Sequence, residues 1–383
     1  MAEKENYFEF ILPSKVEYGP GTIKTLPEEL LRNDFKRVVF VVTPGRNRSG
    51  MLDGILAVLA EEGSEATVFD RVIENPDLAS VADCVQFLRA FTPDAVVGVG
   101  GGSALDTAKA AAVCYSNGTD SVLDLLNGDG GSRKIKKKSL PAIMVPTTAG
   151  SGTEVNYWAV ITNKAEKEKL SVGAPAMSPH MAIVDPELTL SLPPKVTLYT
   201  GIDALTHAIE SYLSKTSNWL SDMFSFGAIT LIMGSLRRAV DDGANLVARC
   251  NMALASMLAG VAMENVGLGL IHAMSHQVSG FYDTPHGLAN ALLLPEVLAF
   301  NRPGAKEKIK SLDRVARGKG GFIRWIEKLY REYDLWIKGV EIKGEDIRIM
   351  AVKAADNVNV RTNPVVAGVA DIEKIYQECF KIV

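Results

Sequence analysis

DAVVGVGGGSALDTAK, Asp94 to Lys109, reads as a buried strand, a glycine cluster and the start of a helix. Gly100, Gly101 and Gly102 let the backbone turn tightly and come close to a ligand without Cβ hindrance. Ser103 is a good helix N-cap, and Asp106 three residues on fits a capping-box pattern. The free N–H groups of such a helix start favour an anion such as a pyrophosphate. Spacing alone leaves two readings open, a ligand-binding turn or a tight turn with no ligand. The run from Gly98 to Ser103 nearly fits G-x-G-x-x-G, with Ser103 in the last place, but it lies in the third βα unit and not the first.

Outward from this turn, short β-branched runs alternate with helical patterns. Val38 to Val42, Ala66 to Phe69 and Leu140 to Val145 read as strands, and Met51 to Glu62 and Leu78 to Phe91 as helices. Continuous apolar strands separated by helices imply a parallel sheet covered on both faces. A second polar turn, PTTAGSGTE (Pro146 to Glu154), follows the strand ending at Val145, so both turns open at the same carboxyl edge of the sheet. The pattern changes near Leu192. Residues 201–215, 220–240, 244–265, 268–280, 288–300, 305–335, 345–358 and 369–381 all carry helical periodicity, and Pro193-Pro194 marks the boundary. The expectation is an α/β domain over 1–190 and an all-helical domain over 191–383.

Composition excludes several classes. The 383 residues are 47% apolar and 22% charged, ordinary for a globular protein, and the net charge of −4 offers no basic surface for nucleic acid. The basic stretch Ser132 to Ser139 reads as a solvated loop. No apolar run reads as long enough to span a bilayer, and MAEKENYFEF has acids where a signal peptide needs a basic region. Cys84, Cys114, Cys250 and Cys379 are too scattered for a disulfide framework, so they read as free thiols and the cytoplasm is the expected location.

Four of the five histidines cluster in the second half. Asp203 and His207 stand at i and i+4, as do His272 and His276, so each pair shares a helix face. His286, between Thr284-Pro285 and Gly287, reads as a turn or helix start that can reach back. Imidazoles and a carboxylate are the usual ligands of a divalent transition metal. Five candidates compete for about four places, and helix spacing alone would choose Asp203, His207, His272 and His276. The fifth histidine, His180, stands apart and reads as structural.

GGGSALDTAK, PTTAGSGTE, GIDALTHAIE (Gly201 to Glu210), GLGLIHAMSHQVSGFYDTPHGLANA (Gly267 to Ala291) and TNP (Thr362 to Pro364) together resemble the iron-containing (group III) alcohol dehydrogenases. The likeness covers nearly the whole chain. It implies a dinucleotide-binding α/β domain joined to a helical metal domain, the dehydroquinate synthase-like fold, with the site in the cleft between. It implies that Asp203, His207, His272 and His286 hold Fe²⁺ or Zn²⁺, and it moves His276 off the metal to a catalytic place near the nicotinamide, where a proton relay and simple packing both remain open. It sets Gly101, Gly102 and Ser103 on the pyrophosphate, with Asp106, Thr147, Thr148, Ser151 and Lys169 along the cofactor and Asn75 on its adenosine side.

The chain departs from the family at two places. NAD-preferring members tend to have an aspartate after the first strand, where this chain reads Thr43-Pro44-Gly45 and then Arg46 and Arg48. A 2′-phosphate is not repelled there, so Gly45 and Arg46 favour NADP(H) over NAD(H). After TNP, where arginine is frequent, stands Val365. The resemblance also implies a homodimer, with Tyr7 to Gly19 expected as an edge β-hairpin. The expected reaction is hydride transfer between NAD(P)(H) and a small alcohol or aldehyde. Its rival on the same fold is a dehydroquinate-synthase-like lyase that uses metal and NAD. The Leu, Ile, Ala, Met, Val, Phe and Tyr around His272 to His286 suit a small neutral alcohol better than an acidic phosphorylated substrate. A metal-dependent hydrolase leaves both glycine-containing turns unexplained, and a nucleotide sensor needs no open metal site.

Overall fold

A computed structural model describes residues 7–126, 134–316, 320–335 and 340–383. Ser132 and Arg133 of the basic stretch, residues 1–6 of the MAEKENYFEF stretch and residues 317–319 of the expected 305–335 helix lie outside them. The strands before residue 190 are β1 (Lys15–Tyr18), β2 (Arg37–Val42), β3 (Glu65–Phe69), β4 (Ala95–Gly100), β5 (Ala142–Pro146), β6 (Ala159–Asn163), β7 (Glu168–Val172) and β8 (Met181–Val184). Six form one parallel sheet in the order β1-β8-β5-β4-β2-β3.

The apolar runs are buried because helices cover both faces. Val39 and Val41 of β2 pack with Leu88 and Leu105 from the helices Leu78–Phe91 and Gly102–Asn117. Val38, Phe40 and Val42 turn the other way, onto Leu26 and Leu30 from Leu26–Arg32, Leu59 from Asp53–Glu61 and Leu52 just before that helix. A strand with both faces covered needs no polar alternation, which is why RVVFVV reads as an unbroken apolar run.

The structure corrects the expected hairpin at Tyr7 to Gly19. Only Lys15–Tyr18 is a strand there, and it lies parallel to β8. The preceding chain cannot fold back on it, because the Ile11 backbone is held by Asn265 of the helical part: Ile11 N–H donates to Oδ1 at 2.5 Å and Asn265 Nδ2 donates to the Ile11 carbonyl at 2.9 Å. β6 and β7 form a separate antiparallel hairpin that the sequence reading did not resolve.

After residue 190 the helices Pro194–Leu213, Trp219–Asp241, Leu246–Val266, Leu270–Tyr282 and His286–Asn301 build the bulk of a second core, joined by Gly344–Asp356 and Val369–Cys379. Two features depart from the expected all-helical pattern. The 305–335 stretch is two helices, Lys306–Val315 and Phe322–Glu332; Gly320 and Gly321 at φ 78° and 101° are incompatible with a continuous helix. Glu341–Ile342 and Lys381–Ile382 pair as two short parallel strands. Trp219–Asp241 and Leu246–Val266 are also long and apolar enough to cross a bilayer by length and composition. Their apolar residues are spent on packing here: Ala228, Ile229, Ile232, Leu236, Ala255 and Ala259 are fully buried in the helical core. All four cysteines are free.

Candidate metal and dinucleotide site

The Pro194–Leu213 helix presents Asp203 and His207 one turn apart on a buried face. His272 comes from Leu270–Tyr282, and His286 is the first residue of His286–Asn301, after Pro285. The four offer ligand atoms that all lie within 4.8 Å of one another. His276 is not in that group. Its ring centre is 5.4 Å from that of His286 and 6.1 Å from that of His272, and its Nδ1 is buried without a hydrogen-bond partner.

Polar neighbours orient the imidazoles. His272 Nδ1 donates to Glu210 Oε2 at 2.6 Å, and His207 Nδ1 donates to the Gly150 carbonyl at 3.2 Å. Both rings therefore turn their Nε2 lone pairs inward. Asp203 Oδ1 is 3.9, 3.8 and 3.5 Å from Nε2 of His207, His272 and His286. The Asn290 amide nitrogen faces Asp203 Oδ1 at 2.7 Å, His272 Nε2 at 3.3 Å and His286 Nε2 at 3.2 Å. Two amide hydrogens cannot serve three acceptors together with His207, so the converging lone pairs fit a cation.

The electrostatics favour the ligating form at Asp203, His207 and His286. Burial pushes the His207 and His286 imidazoles down to about 4 and about 3, which leaves them neutral, the ligating form. Burial also works to raise the Asp203 carboxyl, but the surrounding imidazoles of His207, His286 and His272 outweigh it and hold that group well below the usual range. At His272 burial is overcome by the Glu210 and Asp203 carboxylates and its pKa rises to about 9, so this ring gives up a proton when it takes a cation. His276 is pushed down by burial, by the neighbouring imidazoles and by the Lys169 ammonium, so it is held neutral. Sequence reading missed Glu210 and Asn290, although a signal was present: Glu210 is three residues past His207, and Asn290 is four past His286. Carboxylates that orient a ligating imidazole are worth about 10–100-fold in metal affinity. Glu210→Gln is therefore expected to weaken metal binding by about that factor, as read by chelator competition; unchanged affinity would show that Glu210 does not orient His272.

These four side chains line a cavity of about 760 Å³. The glycine turn lines it as well, through Gly101, Gly102 and Ser103. A Cβ at Gly102 would meet the Ser151 side chain at 3.2 Å, and one at Gly101 would meet Thr148 at 3.3 Å, so bare backbone forms this wall. The turn can cradle a dinucleotide's phosphates. The helix cap differs from expectation. Gly101 is the N-cap and Gly102 opens the helix, which puts Ser103 inside the first turn. Asp106 makes no capping box. It is buried, with Oδ1 accepting from Thr153 Oγ1 at 2.7 Å and Oδ2 from the Val160 N–H at 3.0 Å.

Thr148, Ser151, Lys169 and Asn75 reach the same cavity. Lys169 stands on β7, and burial pushes its ammonium down to about 8. Lys169 Nζ donates to Asn75 Oδ1 at 2.6 Å, and Asn75 Nδ2 donates to Asp283 Oδ1 at 2.8 Å, which ties the sheet-bearing part to the helical part. Three expected cofactor residues are not brought to the wall. Thr147 is buried, with its N–H on the Gly100 carbonyl. Gly45 and Arg46 lie in the short helix Pro44–Arg48, and Arg46 Nη1 donates to Ser191 Oγ at 3.2 Å. The wall also holds Lys195, Trp158, Met263 and Asn359, which no motif marked because loops and remote helices supply them.

Comparison with known proteins agrees with this geometry. A sequence profile described as iron-containing alcohol dehydrogenase matches residues 13–186, and one described as Fe-containing alcohol dehydrogenase family, C-terminal, matches 197–380. Alcohol dehydrogenase 4 of Saccharomyces cerevisiae is 34% identical over 365 residues, 93% of this chain and 94% of that protein. The NAD-dependent methanol dehydrogenase of Bacillus methanolicus is 33% identical over 379 residues, 96% and 98% of the two chains. The crystal structure of a 1,3-propanediol oxidoreductase superposes with a TM-score of 0.89 at 33% identity, covering 98% of this chain and 100% of that one.

Proposed function

The chain belongs to the iron-containing alcohol dehydrogenase family, and from that premise we propose that it interconverts a small alcohol and its aldehyde with a divalent metal and NADP(H). That it is an alcohol dehydrogenase follows from the family, and nothing in the matches favours the dehydroquinate-synthase-like lyase. The observation that carries the rest is one cavity lined both by four converging side chains able to hold a metal and by a bare glycine turn.

When bound, Fe²⁺ or Zn²⁺ would supply Lewis acidity toward the substrate oxygen, and the dinucleotide would supply or accept the hydride at its nicotinamide. Asp203, His207, His272 and His286 would hold the ion, with Glu210 and the Gly150 carbonyl fixing two of the rings. Gly101, Gly102 and Ser103 would take the pyrophosphate. Trp158, Met263 and Leu268 give the cavity an apolar wall that excludes water and suits a small neutral substrate. His276, neutral and with an unpartnered Nδ1, can accept a proton within the cavity.

The preference for NADP(H) rests on Thr43-Pro44-Gly45, which places no carboxylate where a 2′-phosphate would sit; Arg46 would have to turn from Ser191 to pair with it. The Bacillus methanolicus relative is by name NAD-dependent, so this chain's own residues decide the question. A cytoplasmic location, suggested by free thiols, and a homodimer through the open edge of β1 complete the proposal.

The test is purified protein with its metal content and solution mass measured, assayed with short aldehydes and each reduced nucleotide. Metal-dependent oxidation of NADPH is expected, with kcat/KM about tenfold above that for NADH, the worth of one charge-assisted pair. A preference for NADH would defeat the NADP(H) assignment, and turnover insensitive to chelator would defeat the metal assignment.

A further inference from the structure

Lys109 closes the GGGSALDTAK motif and has no role in the mechanism above. Its side chain is fully buried. Nζ donates to the Thr153 carbonyl at 2.8 Å, to Thr153 Oγ1 at 2.5 Å, to the Asn156 carbonyl at 3.2 Å and to the Trp158 carbonyl. Asp106, one turn earlier on the same helix, is 3.8 Å away and binds Thr153 Oγ1 and the Val160 N–H. Together the pair grips a segment that is mostly irregular, with a single helical turn at Thr153–Val155 before β6 begins. From the other side Glu264 Oε2 accepts the Tyr157 N–H at 3.2 Å.

The carbonyls of Thr153, Asn156 and Trp158 converge on one point. Left without a donor they would each carry a desolvation cost, and a bound cation is one way to satisfy such a cluster. Here the ammonium takes that place, with an internal carboxylate as counter-charge. A buried ion pair of this kind contributes little net stability compared with apolar packing, so its effect is better sought in the geometry it imposes. The gripped segment supplies Thr153, Asn156, Trp158 and Val160 to the cavity wall.

We propose that Lys109 is a positioning residue: it sets the 153–160 segment so that Trp158 and Asn156 stand at a fixed distance from the metal cluster and shape the space for the substrate carbon chain. The inference rests on the cavity's being the alcohol dehydrogenase site, and the test separates the two. In Lys109→Met, hydrogen exchange across 153–160 is expected to be at least about tenfold faster, as for lost hydrogen bonds to a charged donor. Exchange across 203–207 and 270–276 is expected to be unchanged. In the same variant KM for the aldehyde should rise about tenfold, with metal content kept and nucleotide affinity and kcat within about threefold. Unaltered exchange across 153–160 overturns the inference whether or not the wild-type protein turns over an aldehyde; loss of wild-type turnover alone overturns the functional reading. Faster exchange with an unaltered KM also overturns it, because the segment would then move without touching substrate. Should Lys109→Met fail to fold, Thr153→Val removes the hydroxyl shared by Asp106 and Lys109 and keeps the ammonium. It is expected to show the same pattern at about tenfold, the scale of hydrogen bonds to charged groups, and unchanged exchange and KM there would be equally fatal.

Discussion

His272→Ala is expected to purify without metal and to lose on the order of 10³-fold in kcat/KM, the scale of several kcal/mol of charge stabilisation at the reacting oxygen. His286→Ala is expected to do the same, whereas His276→Ala keeps the metal. The geometry separates the three residues. His272 and His286 both belong to the group whose ligand atoms lie within 4.8 Å of one another, and both have Nε2 against Asp203 Oδ1, at 3.8 and 3.5 Å. His272 carries a second load, because its removal leaves Glu210 Oε2 buried without its imidazole donor. His276 faces the cavity from one turn farther along the same helix, outside the ligand group. Elemental analysis of the three variants, with activity before and after metal is added back, checks this. A metal-free His276→Ala protein, or a fully loaded His286→Ala protein, would show the ligand set to be wrong.

Gly260→Ala is expected to destabilise the fold by about 3 kcal/mol, at the upper end for forcing a methyl into a filled space. For a chain of this length that corresponds to a fall in Tm of roughly 4 °C. A Cβ at Gly260 would lie 2.3 Å from the Gly152 carbonyl oxygen and 2.8 Å from its Cα, so backbone meets backbone and no side chain can swing aside. The contact docks the PTTAGSGTE turn on the helix Leu246–Val266 and so sets where the sheet-bearing part meets the helical part. Gly152 is bound by the same contact and also holds φ at +59°, a conformation that suits glycine. Gly234 is the control: it lies mid-helix with nothing within 4 Å of its Cβ position, so Gly234→Ala is expected to stabilise by up to about 1 kcal/mol. Thermal melts of the two variants decide it, and equal Tm values would mean that the turn and the helix are not in close contact.

Much of the α/β architecture was legible because burial on both faces writes itself into local composition. The strand at Ala95–Gly100 and the helix Leu78–Phe91 stand where apolar runs and helical periodicity put them. The hairpin of β6 and β7 was not legible, since its half-buried strands AVITN and EKLSV carry too weak a pattern to stand out. The Tyr7 to Gly19 segment was misread for a related reason: the partner of Lys15–Tyr18 is β8, far along the chain.

The histidines mark the limit most clearly. Spacing along a helix can say that His272 and His276 share a face, and it favours that pair. It cannot say where Asp203 and His286 will stand, because they come from other helices and meet His272 only when three helices pack. Asp106 shows the same limit. Its place three residues past Ser103 suggested a cap, yet its oxygens go to Thr153 and Val160 across the fold. From residue order alone came most of the elements, the two turns at one sheet edge and a pool of candidate ligands, because each depends on neighbours within a few positions. Which imidazoles converge, and which carboxylates orient or clamp, was decided by tertiary packing, because these are distances between segments that nothing short-range specifies.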